Sequence, residues 1–280
     1  MAKGISLNIG LNSVDPNHYA GWDGQLNSCE NDANDLTEIA QIAGYEVTKF
    51  LTKDAKVENV KKYLINAAKD LEPGDFFLLT YSGHGGQLPD LNNDEDDFLD
   101  ETWCLYDRQF IDDELNFCLR AFKEGVNILL LSDSCQSGTV TKARRISKTT
   151  GVDTLRSNVG KDGIIYKFAP EEILSRTYHQ NKSLYDPILK DMNMKEKQVN
   201  ATVLLISGCE DHELSADGAY NGAFTMNLLR VWQNGTFTGS HKNFHKQILN
   251  NMMDSEQHPK YFREGKINIS FEKSRPFTLQ

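Results

Sequence analysis

Cys135 lies in Leu129-Leu130-Leu131-Ser132-Asp133-Ser134-Cys135-Gln136-Ser137-Gly138, a lone thiol at the end of an apolar run, followed at once by small turn residues. Fifty-one residues upstream, His84 closes a second apolar run, Phe76-Phe77-Leu78-Leu79-Thr80-Tyr81-Ser82, and is flanked by Gly83 and Gly85-Gly86. A thiol and an imidazole are enough for nucleophilic catalysis: the thiolate attacks and the imidazole moves the proton. A free thiol ionises near pH 8.5, and a neighbouring imidazolium or a helix N-terminus after Ser137-Gly138 would lower that value. Each residue alone has a plainer explanation, the cysteine as a small buried hydrophobe and the histidine as a turn residue. Together, at two strand ends, they point to a cysteine–histidine hydrolase.

The elements that must position this pair follow from apolar spacing. Asp75–Ser82 and Val126–Ser132 are near-continuous apolar runs, as expected of strands buried on both faces. Glu114–Lys123 supplies a crossover helix between them. Ile5–Leu11, Tyr45–Leu51 and Ala201–Ser207 predict further strands, and Lys266–Phe271 a final one. Helical spacing covers Asp32–Ala43, Val57–Leu71, Ala223–Trp232 and Phe244–Met253, with Gly44 and Pro73-Gly74 ending the first two. Such alternation predicts an α/β fold with a mostly parallel central sheet and helices on both faces. Reactive groups in such sheets gather at the carboxyl ends of strands, where His84 and Cys135 both fall.

Two segments break the rhythm. Asn12–Gly24, with Tyr19 and Trp22, either borders a substrate groove or packs locally. Thr139–Asn200 is rich in Lys, Arg, Ser, Thr and Asn, with apolar pieces only near Ile164–Phe168 and Ile173–Tyr178. An insertion of that length in a compact domain is usually functional or disordered.

Composition narrows the partners. The chain has 280 residues, enough for one large α/β domain or two small ones. A formal charge of −10 argues against nucleic acid or an anionic membrane and suits basic substrates. The first residues lack the apolar core of a signal peptide, and no apolar run approaches the ~20 residues of a membrane-spanning helix. Five cysteines, odd in number and irregularly spaced, argue against a disulfide framework and for a reducing, cytoplasmic setting. Cys104 and Cys118 sit in apolar surroundings and read as core. No CxxC or Cys/His cluster suggests zinc, and the thiol–imidazole chemistry requires no cofactor.

Ser82-Gly83-His84-Gly85-Gly86 and Asp133-Ser134-Cys135-Gln136-Ser137-Gly138, in this order and spacing, resemble the caspase-like peptidases, and within them the metacaspase branch with its bacterial members. Cys29-Glu30-Asn31-Asp32-Ala33, Asp100-Glu101-Thr102, Ile111-Asp112-Asp113-Glu114-Leu115 and Ile206-Ser207-Gly208-Cys209-Glu210-Asp211 extend the likeness from about Ile5 to Phe237, with a gap in the middle. The resemblance implies a caspase-like three-layer fold built as one catalytic domain over residues 1–280. A larger p20-like part, 1–138, would carry the dyad, and 139–200 would form a linker. A smaller p10-like part, 201–280, would complete the sheet. It also implies Cys135 as nucleophile, His84 as acid and base, and an oxyanion hole from the N–H groups of Gly85 and Cys135. Cys29 and Cys209 match positions near the crevice.

By the same resemblance Asp32, Ser82 and Asp133 line the pocket for the residue before the scissile bond. Ser82 and Asp133 each precede a catalytic residue by two, and positions two apart in a strand share a face. Two carboxylates and a hydroxyl favour Arg or Lys and repel Asp, so protein or peptide substrates cut after Arg or Lys are expected. Asp32 also stands where a helix N-cap would. Family members are often cut in the linker, which makes Arg144, Arg145 and Lys148 candidate self-processing positions, with Arg156 and Lys161 beyond them; the plainer alternative is an uncut basic loop.

Hard oxygen ligands in this density suit calcium, which takes six to eight of them. Asp90, Asp94, Glu95, Asp96, Asp97 and Asp100 crowd one stretch, and Asp100, Asp112 and Asp113 match three of the four calcium-binding aspartates of calcium-activated members. The fourth position is Lys142 here, which cannot ligate and repels a cation. Asp112 and Asp113 are equally explained as acids at a helix N-terminus. A monomer is expected. The competing readings are a clostripain- or gingipain-like peptidase and a non-catalytic interaction module on the same fold.

Overall fold

The computed structural model describes residues 2–91, 98–135, 153, 155–160, 163–191, 198–210, 213–253, 255 and 257–279. Its elements run β1 (Gly4–Gly10), α1 (Cys29–Ile42), β2 (Glu46–Leu51), α2 (Val57–Asp70), β3 (Phe76–Ser82), β4 (Gly85–Pro89), β5 (Leu99–Cys104), β6 (Gln109–Ile111) and α3 (Asp112–Leu119). There follow β7 (Asn127–Asp133), α4 (Glu171–Gln180), α5 (Lys182–Leu189), β8 (Thr202–Ser207), α6 (Ala223–Trp232), α7 (His241–Asn251), β9 (Lys260–Gly265) and α8 (Ile269–Lys273).

Strands β1, β3 and β7 are buried at every position, and β3 and β7 accordingly carry nearly continuous apolar runs. They form the middle of a six-stranded sheet of order β2-β1-β3-β7-β8-β9, parallel except for β9. Successive side chains alternate between two apolar layers. Leu7, Phe77, Leu79, Ile128 and Leu130 meet Val60 and Leu64 of α2 on one face. Leu78, Leu129, Leu131 and Leu204 meet Leu36 of α1, Leu228 of α6 and Phe244 of α7 on the other. The result is the three-layer α/β arrangement, with β8 and β9, from beyond residue 200, extending the sheet that β1, β2, β3 and β7 begin.

Three regions differ from the sequence expectations. Lys266–Phe271 is not the final strand. Asn268 accepts hydrogen bonds from the N–H groups of Ser270 and Phe271 and caps a short helix there, while the strand lies earlier, at β9. β9 is a half-exposed edge strand carrying Lys260, Arg263 and Glu264, so its apolar signal is weak. β4, β5 and β6 form a separate antiparallel sheet beside the main one. The 139–200 region contains α4 and α5, packed through Leu174, Tyr178, Tyr185 and Leu189.

Candidate active site

Parallel register brings the two motif ends together. Ser82 of β3 pairs with Asp133 of β7 and with Gly10 of β1, so the segments carrying His84 and Cys135 leave the sheet side by side. Both residues are buried, His84 at 2% and Cys135 at 0% exposure.

The Asn12–Gly24 loop holds the imidazole. His84 Nε2 lies 2.9 Å from the Gly24 carbonyl oxygen. A carbonyl can only accept, so Nε2 carries the proton and Nδ1 keeps the lone pair. Nδ1 is buried and makes no hydrogen bond. Trp22 covers the ring at a centroid distance of 4.7 Å, and the Tyr19 hydroxyl donates to the Leu105 carbonyl at 2.8 Å to anchor the loop. Burial lowers the His84 pKa to about 4, against the raising influence of the Gly24 carbonyl and Asp217, so the ring is neutral at pH 7.

Cys135 Sγ accepts from the Ser215 N–H at 2.6 Å and donates to the Ser215 carbonyl at 3.6 Å. The Cys209 thiol lies beside it and donates to the Ser134 carbonyl at 3.5 Å. Contact with Cys135 and burial push the Cys209 pKa well up, which keeps it a thiol. Imidazole and thiol make no hydrogen bond to each other: the thiol is turned toward Ser215.

The acidic pocket is assembled, and it is filled. Asp32 at the start of α1, Ser82 at the end of β3 and Asp133 at the end of β7 converge on the ammonium of Lys167, a residue absent from the sequence predictions. Lys167 Nζ lies 2.9 Å from Asp32 Oδ2, 2.9 Å from Asp133 Oδ2 and 3.0 Å from Ser82 Oγ, with its side chain fully buried. The pocket carboxylates are themselves held: Asp32 Oδ1 accepts from the Gly222 N–H at 3.0 Å and Asn221 Nδ2 at 3.1 Å. Asp133 accepts from Ser215 Oγ at 2.5 Å and Thr225 Oγ1 at 3.0 Å. Burial alone would lower the Lys167 pKa, but Asp133 and Asp32 hold it well above its ordinary value. Its one signal in the sequence is a lone cation within the apolar piece Ile164-Ile165-Tyr166-Lys167-Phe168-Ala169.

The main chain of Lys167 is held as specifically as its side chain. Its carbonyl oxygen accepts from the N–H groups of both Gly85 and Cys135, each at 3.0 Å. Two convergent donors on one oxygen are what a tetrahedral oxyanion needs. Gly85 permits this close approach, because a Cβ there would collide with the Cys135 carbonyl.

Arg144, Arg145, Lys148 and Lys161 lie outside the described residues, as do Lys142 and Asp94, Glu95, Asp96 and Asp97. Arg156 is exposed and faces Glu172 at 3.9 Å. Burial, with Glu101, Asp100 and Asp113 close by, pushes the Asp112 pKa well up. Hard carboxylate oxygens of this kind suit calcium, yet among the described residues no three acidic, histidine or cysteine side chains converge to hold a metal ion. The residues as placed do not form a calcium cage. Cys29 is buried, and burial pushes its thiol pKa up.

A family model described as caspase domain matches residues 14–266. The chain is 29% identical over 286 residues to metacaspase-1 of Pyricularia oryzae, covering 90% of this chain and 68% of that protein. It is 30% identical over 244 residues to metacaspase-1 of Candida glabrata, covering 78% and 60%. Among solved structures, protein GSU0716 from Geobacter sulfurreducens superposes with a TM-score of 0.88 at 47% identity, covering 99% of each chain. Caspase-1 from Spodoptera frugiperda superposes with a TM-score of 0.55 at 13% identity, over 93% of this chain and 88% of that one, a likeness of fold.

Proposed function

The chain belongs to the caspase-domain family of cysteine peptidases, and from that premise we propose that it cleaves peptide bonds after Lys or Arg with Cys135 as nucleophile and His84 as acid and base. One observation carries this reading: a lysine sits with its ammonium between Asp32 and Asp133 and its carbonyl oxygen on the N–H groups of Gly85 and Cys135.

In the proposed reaction Cys135 Sγ turns from Ser215 and gives its proton to Nδ1 of the neutral His84. The thiolate attacks the scissile carbonyl carbon, and the Gly85 and Cys135 N–H groups take the oxyanion charge. His84 passes the proton to the leaving amine, then accepts one from the water that hydrolyses the thioester. Asp32, Asp133 and Ser82 select the cationic side chain; an acidic one would meet two carboxylates in a dry pocket.

Hydrolysis of matched fluorogenic peptides ending in Arg, Lys or Asp tests this. Turnover is expected with Arg and Lys, none with Asp, and none in Cys135→Ala. The competing reading, a non-catalytic module, draws on the turned thiol and the filled pocket. Covalent labelling of Cys135 by an arginyl chloromethylketone in the wild type would remove it.

Three further parts of the proposal rest on smaller observations. All five cysteines are free and buried, consistent with a reducing, cytoplasmic compartment. Among the described residues no helix is long and apolar enough to cross a membrane. The β9 edge carries Lys260, Arg263 and Glu264, charges that discourage strand-to-strand pairing between copies and favour a monomer. For calcium, the proposal is uptake by Asp100, Asp112 and Asp113 only after these carboxylates draw together, with no catalytic step passing through the ion.

A further inference from the structure

The segment that ends in Lys167 is laid against the loop after β8. The Lys167 N–H donates to the Ser215 carbonyl at 2.9 Å, the Asp217 N–H donates to the Ile165 carbonyl at 2.8 Å, and Tyr166 pairs antiparallel with Ala216 between them. Strand addition of this kind binds an extended peptide through its main chain and leaves side-chain pockets to decide which peptide. The register is fixed: with a cationic side chain between Asp32 and Asp133, the residue before it stands opposite Ala216.

The surroundings of that position are apolar. Tyr166 is 9% exposed and belongs to one buried cluster with Leu214, Cys209 and Ala216. Directly opposed residues of an antiparallel pair put their side chains on one face, so the small side chain of Ala216 leaves room for a ring. Cys209 adds a soft sulfur, which packs favourably against aromatic rings. The slot does not depend on the segment that fills it. Gln257, itself buried, holds the receiving strand by its opposite edge. Its side-chain oxygen accepts from the Ala216 N–H at 3.1 Å, and its nitrogen donates to the Gly208 carbonyl and to Ser215 Oγ, each at 2.8 Å. The Ser215 carbonyl and the Asp217 N–H thereby face an incoming chain.

Resting on the peptidase reading above, we propose that the site selects an aromatic residue immediately before the Lys or Arg. Its substrates then carry Tyr or Phe followed by Lys or Arg at the cut, a second side-chain requirement beside the basic one. An alanine at that place would leave the slot unfilled, and an acid would be buried there without a partner. Leu214 and Ala216 set the choice, the first by covering the ring and the second by making space for it.

Peptides that differ only in the residue before Arg, with Tyr, Phe, Ala or Asp there, test this by kcat/KM on the full chain. Tyr and Phe are expected to exceed Ala about tenfold, and Asp to fall below Ala. Leu214→Ala is expected to cut the Tyr-to-Ala ratio to about threefold. Ala216→Leu is expected to bring that ratio to one or below, because the added side chain takes the place of the ring. Loss of folded enzyme lowers every rate alike and leaves the ratio unmoved, so a destabilised variant still reports. Equal kcat/KM for Tyr, Phe and Ala in the wild type overturns the proposal and leaves the peptidase reading standing. A Tyr-to-Ala ratio unchanged in both variants overturns it as well, since the preference would then arise elsewhere. A wild type that hydrolyses none of the peptides overturns both readings.

Discussion

The Ser215 main-chain N–H donates to Cys135 Sγ at 2.6 Å, so the thiol is held by the residue that also pairs with Lys167. The Ser215 carbonyl accepts from the Lys167 N–H at 2.9 Å, and its hydroxyl donates to Asp133 at 2.5 Å. One residue beyond β8 therefore links the thiol, the bound strand and the pocket floor. Any movement that frees Sγ to meet His84 Nδ1 passes through this link, which ties the position of the thiol to the contacts of Lys167 with Asp32 and Asp133.

Charge in the pocket is the first quantity to change. Asp133→Asn keeps the size of the side chain and removes one of two carboxylates from the ammonium. A buried charged contact of this kind is worth about 3 kcal/mol when one partner is lost. On Lys and Arg peptides kcat/KM is therefore expected to fall roughly 100-fold. Gly222→Ala attacks the same pocket by volume, since a Cβ there would meet both Lys167 Nζ and Asp133 Oδ2. It is expected to reduce turnover of Arg peptides at least as much as of Lys peptides. An unchanged Arg-to-Lys ratio and unchanged kcat/KM in both variants would remove Asp133 from substrate selection.

The central sheet was readable because fully buried strands leave continuous apolar runs, as in Phe76–Ser82 and Asn127–Asp133. The positions of His84, Cys135, Ser82 and Asp133 were readable for a related reason: each ends one of those runs or lies within two residues of its end. What sequence spacing could not show depends on contacts between distant segments. Gly24 reaches His84 from 60 residues away, and Lys167 reaches Asp32 from 135. The apolar neighbours of Lys167 hint at burial but not at its destination, which depends on two carboxylates supplied by α1 and β7. β9 was misplaced for a simpler reason, since an exposed edge strand has little apolar periodicity to detect.

Calcium is the next variable. The Asp112 pKa stands well above its ordinary value because the group is buried and Glu101, Asp100 and Asp113 crowd it. A divalent cation drawing these carboxylates together would relieve that repulsion and bind only the folded chain, raising Tm with the logarithm of its concentration. Trp103 lines the same cleft as Glu101, Asp112 and Asp113, so its fluorescence is expected to report the rearrangement. Both signals are expected to disappear in Asp112→Asn. A titration that moves neither Tm nor fluorescence shows that these acids serve α3 as N-terminal charges and bind no ion.

Acid sensitivity of the fold separates site chemistry from structure. His241, at the start of α7, is buried against Phe271 at a centroid distance of 4.7 Å, and neither ring nitrogen has a hydrogen-bond partner. Burial lowers its pKa to about 4, against the raising contacts of the Phe271, Glu272 and Ser274 main chain. In the unfolded chain the ring titrates near 6.5. As pH falls below that value the unfolded state takes up a proton the folded state refuses, so stability present above about pH 6.5 is lost on the way down to about pH 4. The loss amounts to about 2 kcal/mol by pH 5. Asp32 and Asp112, whose pKa values are raised by burial, act in the opposite direction, so the total slope of the wild type does not isolate the histidine. The difference between wild type and His241→Leu does. At pH 7 the variant is expected to be as stable as the wild type or more so, because it removes two unpartnered polar atoms. Between pH 7 and pH 5 its Tm is expected to rise relative to the wild type by several degrees, while peptide turnover, which depends on His84, keeps the same pH profile. Parallel Tm curves for the two proteins would mean that His241 is protonated in the fold.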